Sequence, residues 1–473
     1  MSTPFFPIWS GDFAHHARKL SRLAPASLHQ LQILCSSWIP AYRFCPEDDL
    51  AFSRVRLWPL HLTFWTFLWQ VAQSGASCRD AVREAGALCA SQDQPVPADE
   101  TGPYCTARAK LPVDRLESIH SDLVKDAQAR ILQRDLWCGH RVSVVDGTCF
   151  TMADTPANQK VFPQQSVQKP GCGFPIAKLL AFFCLGTGLI TAWVTGNWYQ
   201  HELSLLPQLL GLLPDGNVLL GDRGFGNFPV LAQCIRRGIH AVFRANTAMR
   251  RIDFRQGERL GHNDRLVDWK KGPRPKYLTP SEWDLIPDTI RVRVVKVQAR
   301  VRGFRTRSVI LVSTLLDAVA YPADQLAKLY LRRWDMEICF RHIKCTLQMD
   351  HLDCKTPEMV DREMRMHLLV HNIVRRMGLE ASRRHGCRID RISFAGTLGT
   401  LHAYAEVLLR ARTQKRRREL EQEMYRSIAE DRVPLRPGRR EPRAVKRRPK
   451  PYPLLTCHRK QYKEITHRNR YRR

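Results

Sequence analysis

The chain has 473 residues and a mass of 54.6 kDa, which as a rough prior means about two to four domains and excludes a small disulfide-stapled scaffold. Hydrophobic residues at 44% and charged residues at 25% are ordinary for a globular enzyme and exclude a disordered chain. The charge balance is the exception, because 75 Lys and Arg face 45 Asp and Glu for a formal +30, which points to a polyanionic partner.

The N-terminal stretch MSTPFFPIWSGDF has no basic segment followed by an apolar one, so no secretory signal is expected and the protein is expected in the cytoplasm with reduced thiols. None of the 15 cysteines falls in a CxxC pair, and structural zinc is not expected. Up to about residue 135 the pattern is helical. Apolar residues recur at helix spacing in LHQLQILCSSWI and PLHLTFWTFLWQVA, and SCRDAVREAGAL opens on Ser77, a suitable cap. QDQPVPADETGP reads as an exposed loop. Arg54, Arg56, Arg79, Arg83, Arg108 and Lys110 are the candidates to face DNA from this region.

From Arg141 the chain changes to short β-rich runs ending in turns, RVSVVD, GLITAWVTG and NVLLGD, with the helical HELSLLPQLLGLL before the last, the grammar of a mixed α/β sheet. The apolar run from Ile176 to Val194 is split by Lys178 and by Gly186-Thr187-Gly188 into two strand-length pieces, so no membrane span is expected. FPVLAQCIRRG reads as a helix and IHAVFRA as a strand. Ala245 to Leu316 reads as a β-rich insertion, ending in a hairpin of TIRVRVVKVQARV with RTRSVILVSTLL. Helix returns at PADQLAKLYLRRWDMEICFRHIKCTLQM and at EMVDREMRMHLLVHNIVRRMGLEA. The terminus from Arg432 to Arg473 holds 16 Lys or Arg against 2 Glu, and RPGRREPRAVKRRPK has no apolar face for a bilayer, which favours nucleic acid over membrane.

Asp146 and Asp222 each close an apolar strand run and precede glycine-bearing turns, DGT and DRGFG, where open α/β sheets place their ligands. Such a pair suits Mg²⁺, although Asp after a strand is also a common turn residue. Tyr330, Arg333, Glu337 and Lys344, spaced i, i+3, i+7 and i+14, fall within an arc of roughly 60° on one helix face. Beside them Leu329, Met336, Phe340, Ile343 and Leu347 form an apolar stripe that would pack the helix on the sheet. Read from spacing alone, the polar ridge is either part of a metal and phosphate site or a solvated charged face. GDRGFG lacks the GxGxxG spacing of a dinucleotide loop. His201 and Glu202 begin a helix and either line the same cleft or serve as helix-start dipole partners.

Tyr330-x2-Arg333-x3-Glu337-x6-Lys344 matches the YREK signature of DDE transposases of the insertion-sequence four family. The chain also resembles that family in DGT at Asp146, in GDRGF around Asp222, in YCTARAKLP at Tyr104 and in the basic terminus, from about Leu50 to Leu455. The resemblance implies an α/β fold, a ribonuclease-H-like mixed-sheet catalytic core over 136–385 interrupted by the β-rich insertion at 245–316. An all-helical DNA-end-binding region over 1–135 would precede it, and a helical, strongly basic region over 386–473 would follow. It implies a transposase that cuts double-stranded DNA at the terminal inverted repeats of its element and joins the ends to target DNA, acting as a homodimer. Asp146, Asp222 and Glu337 would hold two Mg²⁺, or Mn²⁺ as a substitute, about 4 Å apart. Arg333 and Lys344 would neutralise phosphate charge and Tyr330 would donate a hydrogen bond. Trp269, beside Lys270 and Lys271, would stack on an extruded base, or else be a partly buried structural residue. The rival expectations are a non-catalytic DNA-binding derivative, which needs no metal, and a general metal nuclease without end specificity.

Overall fold

A computed structural model describes residues 32, 34–36, 38–44, 57–248, 250–298, 308–434 and 461, and it divides the chain into two units. The basic terminus beyond Pro434 lies outside the described residues apart from Gln461, as do Arg54 and Arg56.

The first unit takes in residues up to Ala129, His342–Gln348 and Arg362–Val433, and its described part is helical. Leu60–Ala72 is apolar on nearly every side and is buried accordingly. Cys78–Ser91 starts at the expected cap: Ser77 Oγ accepts from the Asp80 amide at 3.2 Å, and the Asp80 carboxylate accepts from the Ser77 amide at 2.9 Å. In YCTARAKLP the Tyr104 hydroxyl and Arg108 Nη1 both donate to Gln70 Oε1, at 2.8 and 3.0 Å, and the Arg108 guanidinium lies 4.5 Å from the Phe67 ring centroid. Arg108 is therefore buried within the helices, which corrects its expected DNA-facing role, whereas Arg79 and Arg83 are exposed. Deep in the same unit the buried Arg376 donates to Asp126 at 2.9 Å and to Glu380 at 3.2 Å.

The second unit, residues 130–341 and 349–361 with the chain end, is built on one ten-stranded mixed sheet. Its strands are β1 (Val142–Met152), β2 (Ile176–Cys184), β3 (Ile190–Asn197), β4 (Val218–Gly221), β5 (His240–Arg244), β6 (Glu258–Gly261), β7 (Asp264–Lys270), β8 (Thr289–Gln298), β9 (Ser308–Ser313) and β10 (His351–Leu352). They lie in the order β3-β2-β1-β4-β5-β9-β8-β7-β6, with β10 beside the end of β1. The two pieces of the long apolar run are β2 and β3, an antiparallel hairpin whose turn uses Gly188 at φ +76°. Among the described residues no helix is long and apolar enough to cross a membrane. Eight of the nine β2 residues are buried, each large one contributing about 1.5–3 kcal/mol by removal from water. The insertion strands continue the same sheet, because β9 pairs with β5 through Phe243 and Val312. Arg293 of β8 is fully buried and holds Asp264 of β7 through two contacts of 2.8 and 2.5 Å.

Two expected elements differ. Asp146 does not end a strand, because β1 runs on to Met152 and pairs Asp146 with Ala181 and Gly147 with Leu180 of β2. The single helix expected after Pro322 is two, Ala323–Leu331 and Trp334–Arg341, parted by a turn at Arg332 and Arg333 and followed by a π-helical turn, His342–Thr346. The apolar stripe survives this break, since Leu329, Met336, Phe340, Ile343 and Leu347 are all buried.

Candidate active site

β1 and β4 are parallel neighbours with Val144 opposite Leu220. Asp146 and Asp222 each stand two residues beyond that pair, Asp146 within β1 and Asp222 just past the end of β4. Asp146 is partly buried, and its Oδ1 accepts from the Gly147 amide at 2.9 Å. Gly147 is fixed by packing, because a Cβ there would collide with the carboxylate of Glu202 at the start of the helix Glu202–Leu210.

The GDRGFG loop is shaped to present Asp222. Its Oδ1 accepts from the Gly224 amide at 2.7 Å, closing the turn. Gly226 lets the backbone pass against the Arg244 carbonyl oxygen, a place where any Cβ would clash. Asn227 Oδ1 then accepts from the Val230 amide at 3.1 Å and starts the helix Phe228–Arg236.

Arg333, in the turn between the two helices, reaches both sides of the centre. Its Nη1 stands 3.6 Å from Asp146 Oδ2 and its Nη2 3.2 Å from Glu337 Oε1. Tyr330 is half-buried, close enough to feel the charges of Arg333, Arg244 and Asp222. Burial pushes the Asp146 carboxyl up to about 6; Gly147 and Arg333 oppose the rise, and the negative charges of Asp222 and Glu202 add to it. Burial likewise raises Glu202, again with Asp222 adding to the effect. Burial works against charge on Arg333, yet Tyr330, Asp146 and Glu337 outweigh it and hold the guanidinium above its ordinary value.

Among the described residues no three His, Cys, Asp or Glu side chains are gathered at metal-binding distance. The donor chemistry nevertheless suits a hard divalent cation, because the acidic groups offer oxygen only and their mutual repulsion is what such a cation would relieve.

Residues 137–373, half of the chain, match the family described as Transposase DDE domain. The chain belongs to this family. It is 27% identical over 320 residues to the transposase InsG for insertion sequence element IS4 of Escherichia coli K12, covering 67% of this chain and 70% of that protein. It is 24% identical over 133 residues to the putative transposase InsZ of the same strain, covering 28% of this chain and 44% of that protein. A solved piggyBac transposase synaptic complex with hairpin DNA is 12% identical with a TM-score of 0.41, covering 80% of this chain and 77% of that one.

The protein is thus a DDE-type DNA transposase, an enzyme class that depends on a divalent metal. Of the transposase's expected site residues, the structure brings Asp146, Asp222, Glu337, Tyr330 and Arg333 into one electrostatic cluster. Lys344 belongs to the first unit, in the π-helical turn. Trp269 is buried in the apolar core of the second unit with the Arg250 guanidinium 4.8 Å from its ring centroid, so a base reaches it only if that cover moves. Lys270 is exposed, and Lys271 Nζ donates to the Ile286 carbonyl at 2.7 Å. Three charged groups beside these residues were missed or given little weight in the sequence: Glu202, Lys178 and Arg244. Lys178, a lone charge in a buried strand, and Arg244, at the end of one, carried a signal that a charge there needs a reason.

Proposed function

We propose that this transposase cuts DNA at the terminal inverted repeats of its element and joins the freed ends to target DNA, using Asp146, Asp222 and Glu337 as the metal-holding carboxylates on a ribonuclease-H-like core. The observation that supports this reading is the parallel pairing of β1 with β4, with Asp146 two residues past Val144 and Asp222 two past Leu220, and with Arg333 linking Asp146 to Glu337. The strand order β3-β2-β1-β4-β5, antiparallel on one side of β1 and parallel on the other, supports the core assignment.

The three carboxylates would hold Mg²⁺, which when bound supplies a nucleophile from water or a DNA 3′-hydroxyl and stabilises the leaving oxygen. Turned from the carboxylates once a metal neutralises them, Arg333 would offer a planar fork for a phosphate of the cut strand, and Lys344 a point charge. Tyr330 orients the same phosphate by a hydrogen bond. The basic terminus beyond Pro434 adds sequence-independent affinity for the backbone. One chain carries one such triad while an element has two ends, which supports a homodimer as the working species.

The test is cleavage and joining of a duplex carrying the element's terminal inverted repeat, with and without Mg²⁺. Metal-dependent cutting at the repeat boundary supports the proposal. Binding without cutting supports a non-catalytic derivative, and cutting without end preference a general nuclease.

A further inference from the structure

Three carboxylates do not exhaust the acidic groups at this centre. Glu202 opens its helix immediately after β3, and its carboxylate rests on the bare Cα of Gly147, next in sequence to Asp146. We propose that Glu202 is a positioning residue of the metal centre: a fourth carboxylate that draws and holds the divalent cation at Asp146 and Asp222. The inference rests on the proposed roles of those two residues.

Its ordinary alternative, a helix-start acid that serves the backbone, is not what the structure displays. The cap is supplied by His201, whose Nδ1 accepts from the Leu203 amide at 3.2 Å, and Ser204 Oγ donates to the His201 carbonyl at 2.6 Å. His201 and Lys178 act on Glu202 through their charge, yet burial and Asp222 outweigh them, and Lys178 makes no ion pair with it. Lys178 Nζ donates to the Gln200 carbonyl at 2.7 Å and lies 5.2 Å from the centroid of the Trp198 ring, so backbone and aromatic face hold it away. Among the described residues the Glu202 carboxylate has neither hydrogen bond nor ion pair, although it is half-buried and faces the charges of Asp146 and Asp222. Such a placement is costly for the protein alone and becomes favourable when a cation is shared. It also gives DGT a reason for its glycine: a side chain at position 147 would displace the fourth carboxylate, while the strand itself tolerates any residue there.

Glu202→Gln keeps shape and removes charge, and Gly147→Ala keeps every charge but moves the carboxylate. Two readouts on the full chain test the idea: Mn²⁺ binding followed by the paramagnetic signal of the free ion, and the Mg²⁺ midpoint for cleavage of an end duplex. In Glu202→Gln both midpoints should rise about tenfold, with end binding unchanged and the rate largely recovered at saturating Mg²⁺. Gly147→Ala should move them the same way; if it fails to fold, Glu202→Gln decides alone. Wild-type midpoints in Glu202→Gln would overturn the inference, as would a rate lost at every Mg²⁺ level with unchanged Mn²⁺ binding. Asp146→Ala separates the two ideas. If it still cleaves, the triad reading fails; if it is inactive while Glu202→Gln keeps wild-type midpoints, only the role of Glu202 falls.

Discussion

Arg333 bridges Asp146 and Glu337, 3.6 Å from one carboxylate and 3.2 Å from the other through different nitrogens of one planar fork. A lysine keeps the charge but has a single ammonium and cannot span both. Arg333→Lys should therefore slow cleavage of end DNA by about tenfold to a hundredfold in single-turnover assays, with the fold intact. Cleavage at the wild-type rate would show that the bridge is a surface ion pair without mechanistic weight.

The carboxyl of Asp146, pushed up to about 6, makes a prediction about pH. The folded protein holds this proton more tightly than the unfolded chain, so the associated stability is fully present below about pH 4 and is lost as the pH rises through about 6. Asp146→Asn imitates the neutral form. In the absence of metal it should stabilise the second unit at pH 7, by no more than about 3 kcal/mol, seen as a raised thermal midpoint, and leave it unchanged at pH 4. A variant equally stabilised at both values would assign the gain to something other than the charge.

Removal of the basic terminus should weaken DNA binding without unfolding the chain, provided the cut falls after Pro434. Val433 must be kept, since its carbonyl accepts from Arg391 Nη2 at 2.7 Å and Arg432 bridges to Ile392. The slope of log affinity against log salt should flatten by about 0.9 for each phosphate that the terminus no longer neutralises. An unchanged slope would reduce the terminus to a solubilising segment.

Gly226→Ala should destabilise the second unit by about 1–3 kcal/mol, because the new Cβ meets the backbone oxygen of Arg244, which cannot turn aside. Gly211→Ala is the control, at a position with open space and helical φ, and should be near neutral. Thermal midpoints compare the two directly.

The buried stripe and the strand end before Asp222 were legible because they are written in local pattern. What escaped was set by distant partners. DGT reads as a turn, yet Gly147 continues β1 and is small because Glu202 packs on it. The break at Arg332 and Arg333 has no glycine or proline to announce it, and the apolar period runs through it without a fault. Arg108 looks like a surface charge in its own helix and is buried because Gln70 and Phe67, much earlier in the chain, receive it. Trp269 sits in a polar stretch of sequence but on a strand whose neighbours close over it.

The most direct test of the central claim is single-turnover cleavage of an end duplex by Asp222→Ala, measured beside its binding to the same DNA. The Asp222 carboxylate makes no ion pair with Arg333, and because it also closes the turn through the Gly224 amide, the DNA binding of the same variant checks that the loop and fold survive. Cleavage should fall by about 10³-fold or more while binding stays within about twofold of the wild type. Ordinary cleavage by a variant that still binds would contradict the account.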